Sequence, residues 1–315
     1  LLTWIEKRQL TKLATWYYID GWTHEEIAGK LGISRPVVSK QLQRARDIGI
    51  IDFYIENETR NTIKLESDLK RKFSLTYVKV VPSNHTLVLE KAAIMKVTVL
   101  YLLQRFSTIA SLGIGWGNTM SSLVEEFPYH PFAHLKIIPL IGGIGASSKN
   151  IHSNDLALLL AKKLMCDYAY LYSPFIATSH EMKESLLQIP EIHQTLMQAK
   201  NVDLAIVGLG IANQSATLSK IGYLSETDVR ELAQSNVIGD ITSYFFNQSG
   251  QEINSEFSAK TIGIGLKNLK SIPEVLGISY DREKIPSAYV SLKYKYLNSF
   301  ITNESTANSL LQNYY

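Results

Sequence analysis

Between Thr23 and Arg46 the chain reads T-H-E-E-I-A-G-K-L-G-I-S-R-P-V-V-S-K-Q-L-Q-R-A-R, and no other stretch constrains the fold as tightly. Thr23 and Glu26 have the S/T-x-x-E spacing of a capping box, which starts a helix. Ile27, Ala28 and Leu31 are the expected apolar face of that helix, and Ala28 is small enough for a second helix to approach. Gly32 then turns the chain without a side-chain clash. Ser34 is the expected N-cap of the next helix, in which Val38, Leu42 and Ala45 recur at i, i+4 and i+7. Its outer face carries Arg35, Ser39, Lys40, Gln43, Arg44 and Arg46, with Ser34 and Pro36 at the leading end. Five basic residues (Lys30, Arg35, Lys40, Arg44, Arg46) and no acid lie between Ile27 and Arg46. This is the charge pattern of a helix-turn-helix whose second helix lies in a major groove. The alternative is a helical hairpin with a solvated basic face; cap, small residue, turn glycine and one-sided charge together favour DNA. Gln41 stands where such motifs carry an apolar residue, and Leu42 is expected to take over its packing.

The remainder bounds the answer more loosely. With 315 residues the chain is long enough for a small domain and a large one, and its 45% hydrophobic and 19% charged content is that of a globular protein. A net charge of +3 is too small to draw the whole molecule to DNA, so binding must come from the local basic helix. One cysteine, Cys166, excludes a disulfide framework and a cysteine-rich zinc site, and fits a reducing cytoplasm. The seven histidines show no metal-ligand spacing with acids, and no cofactor is expected. No apolar run approaches a membrane span. The opening residues L-L-T-W-I-E-K-R are too short and charged for a signal peptide, and the missing initiator Met points to a trimmed chain.

Periodicity organises the chain into three stretches. A helix from about Glu6 to Ile19 should pack under the helix-turn-helix as its third helix. Ile50–Ile55 reads as a short strand or wing, and the polar run Glu56–Thr62 as a linker, which sets domains at 1–57 and 58–315. A helix over Ile63–Phe73, with Leu65, Leu69 and Phe73 on one stripe, either docks on the large domain or pairs with its copy in a dimer. Beyond it, strand-like runs at Tyr77–Val81, Ile109–Ile114, Leu135–Leu140, Tyr168–Leu171, Val202–Val207, Thr261–Ile264, Val275–Ile278 and Ser299–Thr302 alternate with helical patterns such as Leu87–Gln104, Thr119–Phe127, Leu156–Met165 and Glu226–Gln234. Such alternation predicts an α/β fold, a doubly wound, mainly parallel sheet with helices on both faces. Gln248–Gln251 suggests a hairpin turn at one edge.

Glycines cluster where those strands end. Gly113–Thr119, Ile141–Gly145 and Val207–Gly210 each follow a strand, and ligands of open α/β sheets bind outside the carboxyl ends of strands. Glycine there lets backbone N–H groups approach an anion, and the helix opening near Thr119 adds the positive end of its dipole. Gly115, Gly117, Asn118, Thr119, Gly142, Gly143, Gly208 and Gly210 are therefore candidate contacts to a small anionic ligand. The plainer reading is that the glycines only permit tight strand-to-helix turns. Asp240 is placed to accept sugar hydroxyls or else to cap a turn, and Lys284 to pair with a phosphate or else to be solvated.

Seven ordered motifs resemble the SorC family of sugar-binding bacterial transcriptional regulators along the whole chain. They are W-Y-Y-I-D-G-W-T-H-E-E-I-A, I-S-R-P-V-V-S-K-Q-L, G-I-G-W-G-N-T-M, P-L-I-G-G, V-D-L-A-I-V-G-L-G, I-G-D-I-T-S-Y-F-F and F-I-T-N-E-S-T-A. The resemblance implies a winged or extended helix-turn-helix and an effector domain similar to sugar-phosphate isomerases and deaminases. It also implies a homotetramer on paired double-stranded operator sites, in the cytoplasm, switched by a phosphorylated sugar. Gly117, Asn118 and Thr119 match a polar effector-pocket loop, Gly142 and Gly143 the family's Gly-Gly loop, and Asp240 and Lys284 an acidic and a basic pocket residue. Two departures stand out. Tyr280-Asp281-Arg282-Glu283-Lys284 replaces a glycine pair that many relatives have before the pocket lysine, and Ile141 stands where some carry a lysine that reacts with an aldehyde sugar. A Schiff base at 141 is thereby excluded. An enzyme, a sugar-phosphate isomerase or deaminase with an appended DNA-binding module, is the rival reading. Against it, Gly208–Gly210 continues I-A-N-Q-S, with neither the histidine nor the carboxylate of an acid/base group.

Overall fold

The structure, a computed structural model, describes residues 4–51, 60–83, 86–143, 151–213 and 216–312. The chain divides into two compact units, Leu1–Asn57 and Glu58–Tyr315.

Among its described residues the first unit has three helices, α1 (Trp4–Tyr18), α2 (His24–Leu31) and α3 (Arg35–Asp47). Thr23 and Glu26 close the capping box in both directions, and Gly32 ends α2 in the left-handed region at φ 66°. Leu13, Ile27, Ala28, Val38 and Leu42 meet in one small core, so α1 packs under the other two helices. Gln41 is half-buried beside the buried Leu42. Leu31 corrects the expected apolar face: it is 41% exposed. Most of the expected wing, and the first residues of the linker, fall outside the described residues.

The second unit opens with α4 (Arg60–Phe73). Leu65, Leu69 and Phe73 are buried within the same chain, in a core shared with the first strand and the C-terminal helix Glu304–Leu311. The stripe is thus filled intramolecularly, which corrects the alternative that it pairs with a second copy. The strands are β1 (Tyr77–Val81), β2 (Ser111–Ile114), β3 (Lys136–Pro139), β4 (Asp167–Tyr168), β5 (Leu204–Gly210), β6 (Val237–Ile241), β7 (Tyr244–Asn247), β8 (Glu274–Ile278) and β9 (Ser299–Asn303). Seven lie in the order β1-β9-β8-β5-β2-β3-β4, and every neighbouring pair in that row is parallel. The antiparallel β6–β7 hairpin is attached to the end of β5.

Alternation along the strands splits the core. On β5, Ala205 and Val207 join the layer that holds α4, whereas Leu204 and Ile206 join the layer of α5 (Leu87–Phe106), α6 (Asn118–Glu126) and α7 (Ser153–Leu164). Helices therefore cover both faces. Thr261–Ile264 does not form a strand; Thr261 and Gly263 make isolated bridges to Ile176 and Ile141. From β2 the chain winds outward through β3 and β4, and from β5 it winds the other way through β8 and β9. The adjacent carboxyl ends of β2 and β5 are the topological switch point of the sheet.

Candidate effector cavity and DNA-facing helix

A cavity of about 580 Å³ opens at that switch point. Gly115, Gly117, Asn118, Thr119, Gly208, Gly210, Asp240 and Lys284 all line it. Gly142 and Gly143 do not. Their N–H groups donate to the carbonyls of Ile262 and Ser173, both at 2.9 Å, and a Cβ on Gly142 would overlap the Pro174 carbonyl. That pair permits close packing of two loops, which corrects its expected place as a donor loop.

The floor of the cavity follows from local chemistry. Gly117 sits at φ 101°, a conformation that side chains rarely adopt, and turns the chain into α6. The first intrahelical bond is donated by Ser121 to the Gly117 carbonyl, so the amides of Asn118, Thr119 and Met120 stand at the open end of the helix. Asn118 reaches Thr217 at 3.5 Å, and the Tyr280 hydroxyl is hydrogen-bonded to the Thr119 side chain. Burial pushes the Tyr280 phenol up to about 12.

Opposite this helix end, Asp240 is only 7% exposed. Burial raises its carboxyl from 3.8 to about 6, against the opposing pull of the Ser243 amide and the positive charge of Lys284. The Ser243 N–H donates to Asp240 at 2.9 Å. That bond fixes a two-residue turn joining β6 to β7, in which Thr242 and Ser243 have φ 49° and 67°. Left-handed backbone is costly for a β-branched residue, and Thr242 faces the cavity, so strain is stored at its wall. Trp116 supports the same turn, its indole N–H donating to the Ser243 hydroxyl at 3.0 Å.

Lys284 is not free. Its ammonium pairs with Asp281 at 2.9 Å, with the two side chains 23% and 46% exposed. The lining holds three basic side chains, Lys220, Arg282 and Lys284, and three acidic ones, Asp240, Asp281 and Glu283. Thr217 and Lys220 carried no sequence signal, and only the fold brings them here; Trp116, Thr242 and Arg282 stood inside segments singled out in the sequence but were not named as contacts. Among the described residues no cluster of His, Cys, Asp and Glu could hold a metal ion, and no helix is long and apolar enough to cross a membrane.

On α3, Ser34, Arg35, Pro36, Ser39, Lys40, Gln43, Arg44 and Arg46 are all exposed, while Val38, Leu42 and Ala45 are buried. The helix thus has one basic polar face, as DNA contact requires. Ser34 occupies the N-cap position without a side-chain cap bond. Several side chains of this face already have partners: Arg35 pairs with Glu25 on α2, Arg44 lies 3.9 Å from Glu6, and Gln43 donates to Asp47 at 2.9 Å. The Glu25 carboxyl is held below its usual range by its hydrogen bond to Arg35 and by that residue's charge. Arg46 donates to the Tyr18 hydroxyl at 3.1 Å and lies over its ring, which ties α3 to α1.

Comparison with known proteins agrees with both parts. Residues 15–47 match the family model of sigma-70 region 4, a helix-turn-helix, and residues 57–312 match the model described as "Putative sugar-binding domain". The transcriptional regulator LsrR of Enterobacter sp. (strain 638) is 27% identical over 310 residues, covering 97% of this chain and 93% of that protein. The full-length sorbitol operon regulator SorC from Klebsiella pneumoniae superposes with a TM-score of 0.83 at 27% identity, over 99% of this chain and 100% of that one. A DeoR family transcriptional regulator from Listeria monocytogenes reaches a TM-score of 0.75 at 33% identity, over 79% of this chain and 99% of that one. With a helix-turn-helix ahead of a sugar-binding domain in one continuous match, the chain belongs to the SorC family of sugar-binding, DNA-binding transcriptional regulators.

Proposed function

We propose that this regulator governs a carbohydrate-utilisation operon in the cytoplasm and that a phosphorylated sugar, bound in the cavity, sets its affinity for the operator. The observation that carries the reading is the convergence of the α6 N-terminus, Lys284 and the buried Asp240 on one cavity at the switch point. Amides at a helix start and a lysine suit a phosphate, and a buried carboxylate suits sugar hydroxyls. Residues 1–57 bind double-stranded DNA through Ser34, Arg35, Pro36, Ser39, Lys40, Gln43, Arg44 and Arg46. Residues 58–315 bind the effector and associate into a dimer or tetramer. Two symmetry-related α3 helices then require half-sites about 34 Å apart, or a multiple of that. Calorimetric titration with hexose and pentose phosphates and with the same sugars unphosphorylated tests the effector. Saturable binding of at least one phosphate ester is expected; binding of free sugars alone would overturn the reading.

Turnover is the second reading, favoured by one feature: a cavity carboxyl raised to about 6 has the pKa of a general acid or base. The relatives are named as regulators, and we propose that binding occurs without reaction. Incubating the same esters with the protein and assaying for isomerised or deaminated product separates the two.

A further inference from the structure

We propose that Asp281 is an internal competitor for the effector's phosphate and sets the concentration at which the cavity fills. The inference rests on the phosphate-ester reading above and names a residue that regulates that site. Asp281 opens the one-turn 3₁₀ helix Arg282–Lys284 but makes no side-chain cap bond to it. The turn is closed by main chain instead, the Lys284 N–H donating to the Asp281 carbonyl at 3.0 Å. The carboxylate is therefore not needed to build the turn, and it is spent on the Lys284 ammonium.

The consequence is electrostatic. Lys284 lines the cavity between two carboxylates, Asp281 in direct contact and Asp240 close enough for its charge to be felt. The three basic and three acidic side chains of the lining balance in formal charge, so the pull on an arriving dianion is left to the α6 amides and to whatever share of Lys284 Asp281 gives up. A phosphate that engages Lys284 must displace the Asp281 carboxylate or share the ammonium with it. A neutral sugar has no such competitor. Asp281 thus acts only on ligands that carry the phosphate, and it raises the threshold for them.

The test is a titration of the full-length protein, wild type, Asp281→Asn and Asp281→Glu, with glucose 6-phosphate and ribose 5-phosphate and with glucose and ribose. Asp281→Asn keeps shape and removes the charge, so the Kd of the bound phosphate ester should fall by about fivefold or more. Asp281→Glu, which keeps the charge, should stay near wild type, and the free sugars should bind all three proteins alike. Equal tightening of the free sugar would mean that the substitution reshapes the cavity, and an unchanged Kd for the ester would mean that Asp281 does not compete; either result overturns the inference. In the second case the phosphate-ester reading survives, because the wild type still binds. Failure of every ester to bind either wild type or Asp281→Asn overturns both.

Discussion

The Asp240 carboxylate fills the space in front of Gly210, where a Cβ would overlap it. The two residues are register partners across β5 and β6, so the last glycine of one strand makes room for the buried acid of the next. Gly210→Ala should displace Asp240 from the cavity wall. A cost of about 1–3 kcal/mol is expected, with loss of effector binding, measured by denaturant unfolding and calorimetry. Gly208→Ala is the control: its Cβ would lie 3.6 Å from Thr119, an ordinary contact, and stability should change by no more than about 0.5 kcal/mol.

This relationship also marks how far the sequence could be read. The meeting of Gly115, Gly117, Gly208 and Lys284 at one cavity was legible because strand-end loops of a parallel sheet converge by topology, whatever their detail. Pairings between distant segments were not. The run Val202–Val207 gives no sign that its strand continues to Gly210, because the partner that extends it is β6. The β-branched Thr261–Ile264 looks like a strand, yet only single bridges form there. Gly142 was read as a donor, but what it answers to is the Pro174 carbonyl, thirty-two residues on. The partners of Arg35, Arg46 and Lys284 were equally invisible, since an exposed cation in a sequence does not announce the carboxylate or ring that it will meet.

Asp240 gives the stability a pH dependence of defined sign. Its carboxyl is raised on folding from 3.8 to about 6, so the folded state holds the proton more tightly than the unfolded chain. That contribution is fully present below about pH 4 and is lost as pH rises through about 6, leaving a buried charge. Asp240→Asn keeps an acceptor for the Ser243 amide and removes the charge. Relative to wild type, the variant should gain on the order of 2–3 kcal/mol between pH 4 and pH 7, read from urea unfolding at each pH. No drift in the difference would show that the carboxylate is solvated.

The Thr242–Ser243 turn should yield to glycine. Thr242→Gly removes the left-handed strain, and a net gain of up to about 1 kcal/mol in thermal stability is expected after the added chain entropy of glycine. The rigid wall beside Asp240 would loosen at the same time, so effector affinity should fall while stability rises. A loss of stability would place the turn among the unstrained ones.

On the basic helix, three substitutions should separate three roles. Arg35→Ala, at the first turn, should cost about 1–3 kcal/mol on the preferred site and blunt sequence preference. Lys40→Ala should weaken all sequences alike and lower the salt slope by about one. Arg46→Ala removes a proposed DNA contact and also breaks the tie to Tyr18, so it should lower the melting temperature of the small unit as well as the salt slope. Equal losses on specific and random DNA for Arg35→Ala would assign it to the backbone.

The switch itself is tested at Lys284. A ligand shifts DNA affinity only by the difference in its affinity for two arrangements of the protein, typically about 1–3 kcal/mol. Lys284 lines the candidate effector cavity, whereas the helix-turn-helix lies in the other unit. Lys284→Ala should therefore leave DNA affinity without effector nearly unchanged and raise the effector concentration needed for half-maximal shift. By reciprocity the coupling is the same measured from either side, so operator DNA should alter effector affinity by the factor that effector alters operator affinity. If the substitution weakened DNA binding without effector, Lys284 would be holding the DNA-competent arrangement rather than reading the ligand. If operator and effector affinities proved independent in the wild type, the cavity would bind its ligand without controlling the helix that reads DNA.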